Sequence, residues 1–247
     1  LEAYFKVLEL AEKQKNDKLS ANLLNNIASL YYAQNNSKKA VKYWEKQLLI
    51  YNKIKDENGV AVTLNNLGQV FADTKQYKKA LENFNNALEI NKKLMLDVEL
   101  AINYSNIACV YIEQKKYNKA EELLLKSVEI NKKEKQYIRY ASNLKNIADI
   151  YIEKKEYSTA IITLQKSLKI LLPTSYKEDI KKTYLKLSET YELANNCDGA
   201  FINYKQYVAF KDSLLNEESL SQLNKLETKY QTAEKEKGDG FDNLEVP

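Results

Sequence analysis

Leu64, Leu67, Gly68 and Phe71 fall at i, i+3, i+4 and i+7, the spacing of one face of a helix. After the polar run Asp73-Thr74-Lys75-Gln76, a second stripe follows: Ala80, Leu81, Phe84, Ala87 and Leu88. Two helices of about 17 residues with short turns are expected here, each about 25 Å long at 1.5 Å per residue. The pair of stripes recurs along the chain. Ala40, Ala80, Ala120, Ala160 and Ala200 are spaced by 40 without slippage. Small residues share the register at Ala28, Gly68, Ala108, Ala148 and Ser188, and aromatic ones at Tyr31, Phe71, Tyr111, Tyr151 and Tyr191. Trp44, Phe84, Leu124, Leu164 and Tyr204 form a bulky column four residues after the alanines.

One helical hairpin cannot bury both faces of its helices alone, so stacked neighbours must supply the missing partner. The pattern predicts an all-α fold, an α-α solenoid with one extended core. The small columns let two backbones approach, and the bulky column fills the space beside them. The period also runs backwards: Tyr4 lies 40 residues before Trp44, and Val7-Leu8-Glu9-Leu10 matches Ala87-Leu88-Glu89-Ile90. The chain is thus expected to open inside the second helix of a unit whose first helix is absent, as an excised piece would. The organisation read from the pattern is the remnant of one unit at 1–18, five units over 19–216, a further helix at 217–237 and an acidic tail at 238–247.

Composition narrows the chemistry. Only 5 Gly and 2 Pro occur in 247 residues, which disfavours sandwiches, barrels and doubly wound sheets. Histidine is absent, which removes Ser-His and Cys-His nucleophile pairs and histidine metal ligands. No glycine-rich phosphate loop is found, so an enzyme is not expected, nor a cofactor. The 38 basic and 34 acidic residues are mixed along the chain, and Arg139 is its one arginine, so nucleic acid is not an expected partner. No apolar run approaches the ~20 residues that span a bilayer, so no membrane contact is expected of these residues. Cys109 and Cys197 do not make a disulfide framework. The sequons at Asn35-Asn36-Ser37 and Asn103-Tyr104-Ser105 are short matches.

The columns of small residue, aromatic, Tyr, Ala and aromatic resemble the tetratricopeptide repeat, here in 40-residue units. The run Leu64-Asn65-Asn66-Leu67-Gly68 through Tyr77-Lys78-Lys79-Ala80-Leu81 is the nearest match, and the likeness covers residues 1 to about 210. Gln47 and Tyr207 depart from it, replacing the small residue present as Ala87, Ser127 and Ser167. Farther on, Tyr204-Lys205-Gln206-Tyr207, Lys211-Asp212-Ser213-Leu214 and Leu226-Glu227-Thr228-Lys229-Tyr230 resemble the end of repeat sensor regions in bacterial membrane-anchored histidine kinases and repeat-containing helix-turn-helix regulators. That resemblance implies a ligand-sensing module of a bacterial signalling protein, periplasmic in a membrane sensor and otherwise cytoplasmic. The alternative is a stand-alone scaffold or peptide-responsive regulator.

In the family, the face of each first helix opposite the core lines a concave groove for peptide segments or partner helices. Helical spacing puts Asn25 and Ser29, then Asn65 and Gln69, then Ser105 and Cys109, then Lys145 and Asp149 on that face. Beside it runs the column Asn26, Asn66, Asn106 and Asn146, broken by Lys186. An amide offers both donor and acceptor, so a ladder of amides can pair with the main chain of a bound segment without reading its side chains. The competing reading is that each asparagine bonds the neighbouring unit and sets the twist, and the two can coexist. At the other end, Leu220, Leu223 and Leu226 are expected to cover the open face of Phe201, Tyr204 and Val208, as a cap, or to pair with a second copy through the C-terminal helix.

Overall fold

The computed structural model describes the backbone of residues 1–241, and among them are eleven helices and no strand. The chain forms two compact units, Leu1–Lys154 and Lys155–Pro247. The first holds α1 (Glu2–Lys13), α2 (Asp17–Ala33), α3 (Ser37–Lys53), α4 (Glu57–Asp73), α5 (Tyr77–Lys93), α6 (Asp97–Glu113), α7 (Tyr117–Lys133) and α8 (Tyr137–Glu153). From α2 to α8 each helix is 17 residues long and a new one starts every 20.

Glycine scarcity does not remove the turns. All but one, at 172–176, sit on a residue in the left-handed region: Lys15, Asn35, Lys55, Lys75, Met95, Lys115 and Lys135 in the first unit, then Lys155 and Asn195 in the second, with φ between 53° and 62°. The bonding is a repeated Schellman closure. The Asn35 N–H donates to the Tyr32 carbonyl at 2.9 Å and the Asn36 N–H to the Tyr31 carbonyl at 2.8 Å, and the pair recurs at Lys75 and Gln76 and at Lys115 and Lys116. The earliest helices also open on side-chain caps: Asn16, Asn36 and Asp56 accept from the backbone N–H three residues on.

Within each unit every helix packs on the next, and the columns fill the space between. Ala40, Ala80 and Ala120 are wholly buried, beside Trp44, Phe84 and Leu124. Tyr31 stacks on Tyr43 with ring centroids 5.5 Å apart. Gly68 lies directly under Phe84; a Cβ there would stand 2.6 Å from two ring carbons. Gly59 makes the same room for the Tyr51 ring.

The second unit holds α9 (Tyr157–Leu171), α10 (Lys177–Leu193) and α11 (Cys197–Phe241). α9 is two residues shorter than the 17-residue helices and gives way just before Pro173, which lacks the N–H a further turn would need. α11 runs antiparallel along α10: Ser188 Oγ donates to the Ala200 carbonyl at 2.8 Å, Tyr184 meets Phe210 at 5.6 Å, and Lys177 pairs with Glu217. Its 45 residues span about 67 Å.

Here the structure corrects the sequence. Residues 217–237 do not start a helix that folds back as a cap; they continue α11, and so do residues 238–241 of the expected tail. The stretch Ser213-Leu214-Leu215-Asn216-Glu217-Glu218-Ser219-Leu220 holds no Gly or Pro, so nothing in it interrupts the helix. Leu220 is accordingly 58% exposed, and Phe201 and Tyr204 remain exposed as well. The side chains of Leu223 and Leu226, and residues 242–247, lie outside the described residues.

Candidate functional site

In the first unit α4 touches α6 and α6 touches α8, whereas the second helices α3, α5 and α7 meet one another less. The first helices therefore line the inner side of the stack. Their amides join across repeats. Asn66 Nδ2 donates to Asn25 Oδ1 at 3.3 Å, and the Trp44 indole N–H shares that oxygen at 3.0 Å. One repeat on, Asn106 Nδ2 donates to Asn65 Oδ1 at 2.9 Å. In the next, Asn146 Nδ2 meets Cys109 Sγ at 3.6 Å while Ser105 Oγ donates to Asn143 Oδ1 at 2.8 Å. Gln69 donates along its own helix to Asp73 at 2.9 Å. Lys145 and Asp149 stand half-buried on α8, and Asn26 and Ser29 stand exposed on α2.

Two hollows open along this face. One, of about 290 Å³ between α4 and α6, brings together Gln69, Asn106 and Cys109 with Asp73 and Glu113. The other, of about 120 Å³ between α6 and α8, brings together Ser105 and Asn106. Larger furrows of about 730 and 510 Å³ lie elsewhere, at the turn after α2 and beside Tyr51 and Ile90. They are gaps between successive hairpins, which any such stack leaves, and they hold none of the predicted amides.

Beneath the face lie polar residues that pattern reading missed. Asn91 Nδ2 donates to Asn103 Oδ1 at 2.7 Å, and Asn103 Nδ2 passes the chain to Asn65 at 3.2 Å. Forty residues on, Asn131 and Asn143 both donate to Ser127 Oγ, at 3.2 and 2.6 Å, and Ser127 donates to the Ala101 carbonyl. Asn91 and Asn131 each keep a buried oxygen without a partner. The signal was available: residue 91 continues the buried stripe of Phe84, Ala87 and Leu88, so an asparagine there breaks an apolar face. The same burial disposes of one sequon, because Asn103 is 1% exposed and bonded twice.

Two titratable groups on this face, Cys109 and Tyr32, are held neutral. Cys109 reaches solvent at the surface, yet its thiol is pushed up to about 11, first by desolvation in the packed groove and then by the Glu113 and Asp149 carboxylates. Tyr32 is pushed up to about 12 by desolvation and by its hydrogen bond to Asp73. A thiol raised above the free value of about 8.5 is protonated at neutral pH and is a poor nucleophile. Alkylation of Cys109 by iodoacetamide at pH 7.5 is expected to run roughly 10- to 100-fold slower than that of a free thiol, and to rise until about pH 11. Because folding disfavours the thiolate, the group's contribution to stability is present below about pH 8.5 and is lost as pH rises through 11. Peptide mapping of alkylation across pH checks this; a rate at Cys109 matching the free thiol would refute it. Among the described residues no group of His, Cys, Asp and Glu could hold a metal ion, and no helix is long and apolar enough to cross a membrane.

No curated protein sequence matches the chain. Solved structures do. BtubC (BKLC) from P. vanneervenii superposes with a TM-score of 0.77 at 17% identity, over 86% of this chain and 90% of that one. A signal transduction ATPase with a tetratricopeptide repeat sensor from Pyrococcus horikoshii gives 0.71 at 22% identity, over 87% of this chain and 34% of that one. The Rap conjugation gene regulator of the plasmid pLS20, solved in complex with the Phr* peptide, gives 0.67 at 13% identity, over 82% and 56%. At such identities these likenesses speak for the fold alone. The family is decided by the sequence, since the model for the tetratricopeptide repeat matches residues 4–93 and 99–172, and the chain belongs to that family.

Proposed function

We propose that this chain is a non-catalytic interaction module that takes an extended protein or peptide segment along the inner amide row, as the sensing part of a bacterial signalling protein. One observation carries the reading: Asn66, Asn106 and Asn146 each spend an N–H on the neighbouring repeat and remain only half-buried. A primary amide has two donor hydrogens and an oxygen acceptor. The lateral bond fixes the orientation of each side chain, and its other hydrogen and its oxygen are left for a bound main chain. The structural and binding roles of the asparagines thus coexist. The sensor role draws support from two structural relatives, one with a repeat sensor and one a peptide-bound regulator.

The test is a selection from an unbiased displayed peptide library, with affinities measured by fluorescence polarisation. Replacing Asn66 and Asn106 together by Ala is expected to cost about 1–3 kcal/mol of binding, on the order of a tenfold to hundredfold loss. The fold should persist, because the core lies on the opposite side of these helices. Binding unaffected by the double substitution, or no binders at all, would refute the groove.

A further inference from the structure

Basic and acidic residues are mixed along the sequence, but the fold of the first unit sorts them. The turns after α2, α4 and α6 lie side by side on one edge. The Tyr32 hydroxyl donates to Asp73, the furrow of about 730 Å³ is lined from both Lys38 and Thr74, and Lys75 shares the next hollow with Glu113. Residues 33–39 hold two lysines and no acid, and 73–79 and 113–119 each hold three lysines and one acid, so every turn of this edge carries +2. The opposite edge has no such run: its turns at 13–19, 53–59, 93–99 and 133–139 carry +2, 0, −1 and +2. There, Lys53, Lys93 and Lys133 are each paired, with Asp17, Glu57 and Asp97.

The lysines of the basic edge are placed but not neutralised. Lys39, Lys79 and Lys119 stand over the rings of Tyr31, Phe71 and Tyr111 at 4.9, 5.2 and 5.9 Å, which sets three cations at the interval of the repeat. Among the described residues neither these three nor Lys38, Lys75, Lys78 and Lys115 pair with a carboxylate, and all seven are exposed. They do not serve the helices either. A helix N-terminus favours acid, which α4 and α6 have in Glu57 and Asp97, whereas the first turns of α3, α5 and α7 hold none.

We propose that this edge of the first unit is a second docking surface, separate from the inner amide row, for an acidic protein segment that carries a large apolar side chain. Its carboxylates meet the lysine row, where opposite charge steers and aligns it. Its apolar side chain enters the furrow between the first two turns. Any stack leaves such a gap, but here half-buried Val41 and Phe71 lie in it beside Lys38. A bilayer fits less well. Among the described residues no large apolar side chain of these three turns is exposed, so nothing reaches out to enter lipid, while the recessed furrow admits a side chain that reaches in. A nucleic acid would meet the lysines and leave the apolar lining unused.

Fluorescence anisotropy of labelled dodecapeptides with the whole chain, at low salt, tests the surface. The probe alternates Glu and Ser around one central Leu. It should bind the parent chain, weaken about tenfold when the Leu becomes Ser or every Glu becomes Gln, and weaken again as salt is raised. Those comparisons need no variant. Lys38→Gln, Lys75→Gln and Lys78→Gln together should weaken the probe about tenfold and keep the melting temperature. Lys15→Gln, Lys18→Gln and Lys55→Gln remove the same charge from the opposite edge and should leave the affinity within about twofold. Replacing Asn66 and Asn106 by Ala should leave it unchanged, which separates this surface from the inner groove. No binding, no dependence on the Leu, or equal losses from the two lysine triples would overturn the proposal. So would tighter association with phosphatidylserine vesicles or a thymidine oligonucleotide through the same three lysines, which would assign the edge to a membrane or a nucleic acid.

Discussion

Placing glycine at Lys75, Met95, Lys115 and Lys135 together is expected to raise the stability of the first unit by about 2–4 kcal/mol. All four residues hold φ between 55° and 58°, where a Cβ crowds the following carbonyl. That crowding costs roughly 1–2 kcal/mol for each L-residue, and glycine avoids it. Glycine in turn loses more freedom on folding, about 0.4–1 kcal/mol, so each exchange nets roughly half to one. Among the described residues these four side chains make no hydrogen bond or ion pair, and the sites are separate enough for their effects to add. Urea melts followed by circular dichroism check it. A quadruple variant no more stable than the parent would mean the turns carry no such strain.

The second large effect concerns one contact. Replacing Gly68 by Ala puts a methyl 2.6 Å from the Phe84 ring, and overpacking of this kind costs about 1–3 kcal/mol, against a gain of about 1 in helix propensity. Phe84→Ala, with the ring 1% exposed, is expected to cost about 3–5 kcal/mol through the cavity it leaves. The informative variant is the double exchange Gly68→Ala with Phe84→Leu. It reproduces Ala108 and Leu124 of the next repeat, both buried and well packed. Stability near that of the parent is expected, with a coupling of about 1–3 kcal/mol between the sites. Additive losses would show that the two residues do not share one space.

The contrast between these two sites marks what the residue pattern reveals. Gly68 against Phe84 was legible because both lie in columns that recur every 40 residues, and a column of small residues beside a column of large ones has one packing solution. The left-handed turns were not, because lysine and methionine carry no signature of positive φ; strict helix length imposes it. Asn65, Asn66 and Asn106 could be placed on one face from spacing alone. Their partners could not, since Asn103 and Asn131 belong to buried positions where polarity looks like noise until the hydrogen bonds are drawn. The length of α11 escaped for a third reason. A helix stops where a turn lets it pack on a new neighbour, and no local signal around Glu217 says whether one is present.

The uniform 20-residue step of the helices has a metric consequence. Neighbouring helix axes lie about 8–10 Å apart, so the amides at 66, 106 and 146 succeed one another at about that interval. An extended chain advances about 3.3 Å per residue, so roughly three residues pass for each amide. The row is thus commensurate with a strand, and it marks off a segment in triplets. If the proposed groove holds a segment, its length becomes a quantity this fold can count: each added repeat would admit about three more residues in phase, and a segment bent or coiled away from full extension would fall out of step.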